Sequence, residues 1–253
     1  MELKSAFIED FSLNSGNPQT PARLFDGRGT RRAAGGSRMN ERELIYDWNI
    51  IDYEIERDSA NHPHDVWFDD ETLRDGLQSP SARNPTIEQK IELIDYMERL
   101  GIQKVDLGLP GAGPFHVNHI DAMLTHMGEN GYELRPGCAV RTVVGDIEPL
   151  VDLQAKHERQ IQASAFLGTS PIRQFAEGWT MERILSTAEK AVTFAVDNDI
   201  PVMFVTEDTT RSKPEEIKEV YTRAIELGAD RICVCDTCGH VTPNGVRKLL
   251  TFI

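Results

Sequence analysis

The chain has 253 residues, 40% of them hydrophobic, enough to bury a sizeable core in one large domain or two small ones. Its 41 acidic side chains outnumber 27 basic ones, and a formal charge of -14 argues against a general nucleic-acid or anionic-membrane binder, while leaving room for a local basic pocket. The four cysteines, Cys138, Cys233, Cys235 and Cys238, are not spaced as a disulfide framework, and no signal-peptide core or membrane-length apolar window occurs, so a soluble cytoplasmic protein with reduced thiols is expected.

Residues 1–40 lack helical or alternating periodicity, and the part from Asn17 to Arg38 is rich in Gly, Pro and Arg. A flexible N-terminal extension is expected, its arginines read as a solvated tail in preference to an RNA or subunit contact. Residues 41–64 form a lead-in, where Leu44, Ile45, Trp48 and Ile51 suggest a short helix or a segment packed across a barrel bottom.

From residue 65 to 253 short apolar runs alternate with longer amphipathic ones. Strands are expected at 66–69, 104–107, 134–140, 160–166, 202–206 and 231–235. Between the first two, Ile87, Ile91, Ile94, Met97 and Leu100 recur at helical spacing, with Thr86 and Gln89 as a capping box and Gly101 as the stop. Helices are expected at 117–127, 147–156 and 181–196. After the fifth strand, Ser212 and Glu215 read as a second capping box, with Pro214 in the first turn and Ile217, Val220, Ala224 and Ile225 as the buried face before Gly228. Thr242 and Pro243 start a last helix. Such alternation predicts an α/β fold with a parallel sheet, here about six βα units of a TIM (β/α)8 barrel, which needs eight strands. An open doubly wound sheet is the alternative, but neither a Gly-x-Gly-x-x-Gly run nor a P-loop is present.

The stretch Val66-Trp-Phe-Asp-Asp-Glu-Thr-Leu-Arg-Asp-Gly-Leu-Gln78 starts apolar and breaks into crowded charges, as a strand does when it opens into a barrel-mouth loop. Its second half, from Thr72, resembles the first-strand signature of the metal-dependent acyl-transferring barrels. That family includes 2-isopropylmalate, homocitrate and citramalate synthases and, more distantly, hydroxymethylglutaryl-CoA lyase. The resemblance implies that Arg74 holds a 2-oxo acid and stabilises enolate charge, and that Asp75 ligates a divalent metal ion (Mg, Mn or Zn). Leu77 stands where the synthases usually carry Glu and the lyases Leu.

Further motifs follow in barrel order. Strand two ends Val105-Asp-Leu-Gly-Leu-Pro-Gly111, similar to the family's Glu-x-Gly-Phe-Pro, with Asp106 in place of the longer Glu as a candidate partner of Arg74. The glycines from Gly108 to Gly113 read as a turn before a ligand cradle. Strand three ends at Arg141, a candidate substrate contact. Strand four leads to Thr169 and Ser170, which match a family Thr-Ser-x-x-His run lining the substrate pocket, with Arg173 at the His position either as an anion clamp or as a surface charge. Strand five ends Glu207-Asp-Thr-Thr-Arg211, resembling Glu-Asp-x-x-Arg, which implies that Glu207 orients or shuttles protons with Asp208 and Arg211 in support; helix capping is the bland alternative. Strand six runs into Asp236-Thr-Cys-Gly239, resembling Asp-Thr-x-Gly, with Thr237 as the hydroxyl for the keto-acid carboxylate. Cys233, Cys235 and Cys238 read as core-filling thiols in preference to a soft-metal site.

The resemblance implies a cytoplasmic acyltransferase of amino-acid (leucine) biosynthesis that condenses acetyl-CoA with a 2-oxo acid and is a homodimer when complete. The family's strand-seven His-x-His-Asn-Asp landmark is absent, so the chain is expected to be the N-terminal three-quarters of a longer enzyme. A carbon-carbon lyase, and a non-catalytic partial barrel that pairs with an intact homologue, are the alternatives.

Overall fold

A computed structural model describes residues 30–32, 38–40, 44–49 and 66–253. The chain divides into two compact units, residues 1–44 and 45–253. In the first, β1 (Thr30–Arg32) and β2 (Arg38–Asn40) pair antiparallel with Thr30 opposite Asn40, a pairing the sequence does not announce. The rest of the stretch read as an extension, residues 41–43 and 50–64 of the lead-in, and residue 65 lie outside the described residues.

The second unit contains a six-stranded parallel sheet whose spatial order follows the chain: β3 (Asp69–Asp70), β4 (Lys104–Asp106), β5 (Arg135–Arg141), β6 (Gln162–Gly168), β7 (Val202–Glu207) and β8 (Arg231–Val234). Between and after these strands lie α1 (Ile87–Leu100), α2 (Pro114–Glu129), α3 (Val144–His157), α4 (Pro171–Glu177), α5 (Met181–Asp197), α6 (Pro214–Glu226) and α7 (Pro243–Phe252). This is a half-barrel of six βα units. No helix among the described residues is long and apolar enough to cross a membrane.

The period-two alternation of each strand separates two environments. Val105, Cys138, Val140, Ala163, Ala165, Val202 and Phe204 join one buried core with Ile94, Met97, Ile120, Met123, Ile147, Leu150, Ile184, Val192, Ile217 and Val220 from the helices. Each fully buried large side chain of this layer contributes about 2 kcal/mol through removal from water. The alternate residues Lys104, Asp106, Ala139, Ser164, Phe166, Met203, Val205 and Glu207 point the other way, into the barrel interior. Within that interior the Lys104 amine sits 2.5 Å from Asp69, which gives a buried ammonium its counter-ion.

Several local expectations need correction. The first strand is Asp69–Asp70, not 66–69: Val66 and Phe68 lie exposed at the sheet edge, and the Trp67 ring stacks against Arg135 and Arg231 at 4.3 and 5.2 Å. The Thr86–Gln89 capping box forms and Gly101 closes α1 at φ 74, yet Leu100 is exposed. The second capping box does not form: Lys213 is the N-cap of α6, and the Ser212 hydroxyl donates instead to the Asp208 carbonyl at 3.0 Å. Ile225 is exposed, off the buried face of α6. The short α4, which leads out of β6, has too few apolar positions to show a period.

Residues 45–49 form no helix and lie at the C-terminal, loop-bearing face, not the bottom. The Trp48 indole N–H donates to the Ser212 carbonyl at 3.1 Å, the Tyr46 amide to the Arg211 carbonyl at 2.8 Å, and Asn49 Oδ1 accepts from the Thr242 amide and hydroxyl, each at 2.8 Å. A buried indole needs an acceptor, and the loop after β7 supplies it.

Candidate active site

The site is built outward from the turn after β3. The Thr72 amide donates to Asp70 at 2.8 Å, and the Arg74 and Gly76 amides donate to the Glu71 carbonyl at 3.2 and 3.0 Å. Leu73 is buried in the core, so this tight turn leaves its neighbour Arg74 facing the barrel mouth. Three carboxylates surround the guanidinium: Asp106 accepts from Nε at 3.3 Å, Asp75 from Nη1 at 3.1 Å, and Glu71 from Nη2. Burial opposes the arginine's charge, but Asp106, Glu71 and Asp75 together raise its pKa.

Three carboxylates on one guanidinium leave an excess of negative charge, and the carboxyls respond. Asp106, 1% exposed, is pushed up to about 7 by burial first and then by Glu71, against the opposing pull of Arg74. Burial likewise raises Glu71. Asp106 Oδ1 also accepts the Gly108 and Ala139 amides at 3.0 and 3.3 Å. This carboxyl therefore fixes Arg74 to the strand ends from beneath.

Across the mouth, Glu207 ends β7, and the Arg173 guanidinium approaches it to 3.4 Å. Arg173 reaches there by lying over Gly168, where an added Cβ would come within 3.0 Å of its side chain. Asp208 follows in the left-handed region at φ 62 and is buried. It accepts Arg211 Nε and Nη2 at 2.7 and 2.8 Å and the Ser170 hydroxyl at 2.5 Å, while its own amide donates to Thr237 Oγ1 at 2.9 Å. The Glu-Asp-x-x-Arg run is thus a rigid corner that aims Glu207 inward and ties the β7 loop to Thr237.

Glu71, Arg74, Asp75, Glu207 and Thr237 line one cleft of about 570 Å3, floored by Phe166, Met203 and Val205. Two expected contacts lie elsewhere. Arg141 is clamped by Asp146 of α3, with Nε and Nη2 at 2.7 and 2.8 Å, and does not line this cleft. Thr169 is fully buried, its hydroxyl 2.8 Å from Ser212, out of reach of a ligand. The glycine run after β4 is packing and turn: the Asp146 carboxylate lies where a Cβ on Gly111 would stand, 2.3 Å from it.

Sequence reasoning missed Glu71 as a shaper of the site, although it was legible as the inward neighbour of Asp69 at period two; Arg173, read as either an anion clamp or a surface charge, turns to Glu207, a direction set by a helix of seven residues. Cys233 and Cys235 are not core filler either. Their sulfurs lie 3.8 Å apart and line the cleft, while Cys138 is buried and Cys238 exposed.

The divalent ion implied by resemblance meets an incomplete donor set. Among the described residues no group of three or more His, Cys, Asp and Glu side chains could hold a metal ion, and Asp75 stands as a single, mostly exposed carboxylate.

Comparison with known proteins places this geometry. The chain spans about a third to somewhat under half of the length of the curated relatives it matches. A 2-isopropylmalate synthase of Sediminispirochaeta smaragdinae is 29% identical over 192 residues, covering 76% of this chain and 37% of the relative. A homocitrate synthase of Methanopyrus kandleri is 32% identical over 191 residues, covering 76% and 46%. In fold, the chain is similar to the HMG-CoA lyase of Brucella melitensis, with a TM-score of 0.59 at 15% identity over 74% of this chain and 66% of that one. The HMGL-like family model matches residues 65–253, the whole of the half-barrel with its cleft, and the chain belongs to that family.

Proposed function

We propose that this chain forms the 2-oxo-acid-binding part of a Claisen-type acyltransferase that condenses acetyl-CoA with a 2-oxo acid, as a 2-isopropylmalate synthase does. The observation that carries this reading is that Arg74, Asp75, Glu207 and Thr237, drawn from three different strand ends, line one cleft.

In this reading the Arg74 guanidinium takes the substrate's carboxylate and the oxyanion that develops at its keto oxygen, a role suited to a planar donor fork already fixed by Asp106. The Thr237 hydroxyl donates to the same carboxylate. Glu207, aimed by Asp208 and steadied by Arg173, removes a methyl proton of acetyl-CoA, and the resulting carbanion forms the new bond to the keto carbon. Hydrolysis of the thioester then releases CoA. A divalent ion would polarise the 2-oxo acid as a Lewis acid, but the side chains among the described residues do not complete its coordination. We place the enzyme in the cytoplasm, as a homodimer.

Leu77 favours a second reading, a carbon-carbon lyase. Chromatographic analysis of CoA release separates the two. Release from acetyl-CoA only when a 2-oxo acid is added supports acyl transfer; cleavage of 3-hydroxy-3-methylglutaryl-CoA without an acceptor supports the lyase and overturns the first reading.

A further inference from the structure

Cys233 lies on β8 opposite Val205 of β7, and Cys235 follows directly after the strand, so both side chains turn to the barrel interior. Their sulfurs are 3.8 Å apart and line the same cleft as Glu207 and Thr237. Both thiols are free and partly exposed. The Cys235 thiol and then the Lys104 amine hold the Cys233 thiol below its ordinary range against the effect of burial, and the same hydrogen bond raises Cys235. One sulfur is therefore the readier thiolate while its neighbour keeps its proton, the division of roles that a sulfenic acid and its resolving thiol require. The backbone around them belongs to the site: the Cys235 amide donates to Thr209 Oγ1 at 2.9 Å, and two residues on, Thr237 Oγ1 accepts the Asp208 amide at 2.9 Å.

We propose that Cys233 and Cys235 are a reversible modification site, a dithiol that a peroxide closes to a disulfide inside the cleft. The Cys233 thiolate attacks one peroxide oxygen and the O–O bond breaks, which leaves a sulfenic acid and a hydroxide that takes a proton from solvent. Cys235 then attacks the sulfenic sulfur, the S–O bond breaks, and the Cys235 proton leaves with that oxygen as a second water. The two sulfurs lose two electrons and the peroxide gains them. Residues two apart on a strand have Cα atoms about 6.6 Å apart, near the upper end of the roughly 4.4–6.8 Å that disulfides span, so closure draws the chain in and makes a bond that thiols readily reopen. Among the described residues β8 pairs with β7 alone, which leaves its other edge free to shift. The stretch that shortens lies just before Asp236 and Thr237, so closure moves the Thr237 hydroxyl off the Asp208 amide and weakens the hold on a ligand in the cleft. Naming that ligand a 2-oxo acid rests on the acyl-transfer reading; the disulfide rests on the two sulfurs.

The test compares reduced and hydrogen-peroxide-treated protein by mass spectrometry and by calorimetric titration with 2-oxoisovalerate, and repeats both on Cys233→Ser and Cys238→Ser. The expected result is loss of two hydrogens with Cys233 joined to Cys235, affinity lowered at least about 10-fold, and recovery of both in dithiothreitol. Cys238→Ser should behave as the parent does, whereas peroxide-treated Cys233→Ser should bind as its own reduced form does. Phenylarsine oxide, which bridges two close thiols with release of one water, should form a one-to-one adduct with the parent and with Cys238→Ser, and none with Cys233→Ser or Cys235→Ser. A disulfide through Cys238, sulfinic acids in place of a disulfide, a disulfide that leaves affinity unchanged, an affinity loss that persists in Cys233→Ser, or an arsenical adduct that survives that substitution overturns the proposal. A Cys233–Cys235 disulfide in a protein that binds no 2-oxo acid in either state upholds the modification site and removes support from the acyl-transfer reading instead. Cys233→Ala serves as the second variant if Cys233→Ser does not fold.

Discussion

Replacing Asp106 by Asn isolates the proton that the crowded carboxylates share. In the folded protein burial and Glu71 hold the Asp106 carboxyl protonated up to about pH 7, whereas the unfolded chain ionises it from its ordinary value of 3.8. Folding therefore takes up a proton between these values, so the contribution of this group is fully present below about pH 4 and is lost as pH rises through about 7. The gap corresponds to about 4 kcal/mol when complete, with a limiting slope of about 1.4 kcal/mol per pH unit. Asn keeps the acceptor for the Gly108 and Ala139 amides but turns a donor toward Arg74 Nε, a pH-independent cost of about 1 to 3 kcal/mol. Urea unfolding of both proteins from about pH 4 to about pH 8 should show the variant losing stability at low pH and regaining about 2 to 4 kcal/mol relative to the parent by the alkaline end. A difference that stays constant across this range refutes the proposed protonation of Asp106.

Three further outcomes follow from the packing. Gly111→Ala should destabilise by about 2 kcal/mol or more in thermal or urea unfolding, because its new methyl occupies the place of the Asp146 carboxylate that clamps Arg141. Trp48→Phe retains most of the apolar contact but strands the Ser212 carbonyl, and should cost about 1 to 2 kcal/mol by the same measurement. Timed labelling with a thiol reagent should modify exposed Cys238 first, cleft-lining Cys233 and Cys235 more slowly, and buried Cys138 only on unfolding.

The sheet was legible because six apolar runs alternate with helical periods, and the Thr86–Gln89 box and Gly101 mark their helix at both ends. Boundaries drifted where burial is decided by neighbours. Val66 and Phe68 have the composition of a central strand but occupy an open edge, and Leu100 has the period of a core residue but faces solvent at the last turn of α1. Among site residues, Glu207 closes β7, where position along the strand settles direction, while Arg74, Asp75 and Thr237 lie in the loops just after β3 and β8, and the four meet in one cleft. Arg141 also ends a strand, but Asp146, five residues on, captures its guanidinium, a local competition that strand position does not show. Thr169 lies one residue beyond β6, where its hydroxyl turns into the core toward Ser212.

The most direct test of the account is a titration of this protein with a 2-oxo acid, repeated on Arg74→Gln. Saturable one-to-one binding that weakens about 10- to 100-fold in the variant is the expected result, corresponding to loss of a charge-assisted carboxylate contact of about 1.5 to 3 kcal/mol. Binding of equal strength in the two proteins would contradict the placement of the substrate on Arg74.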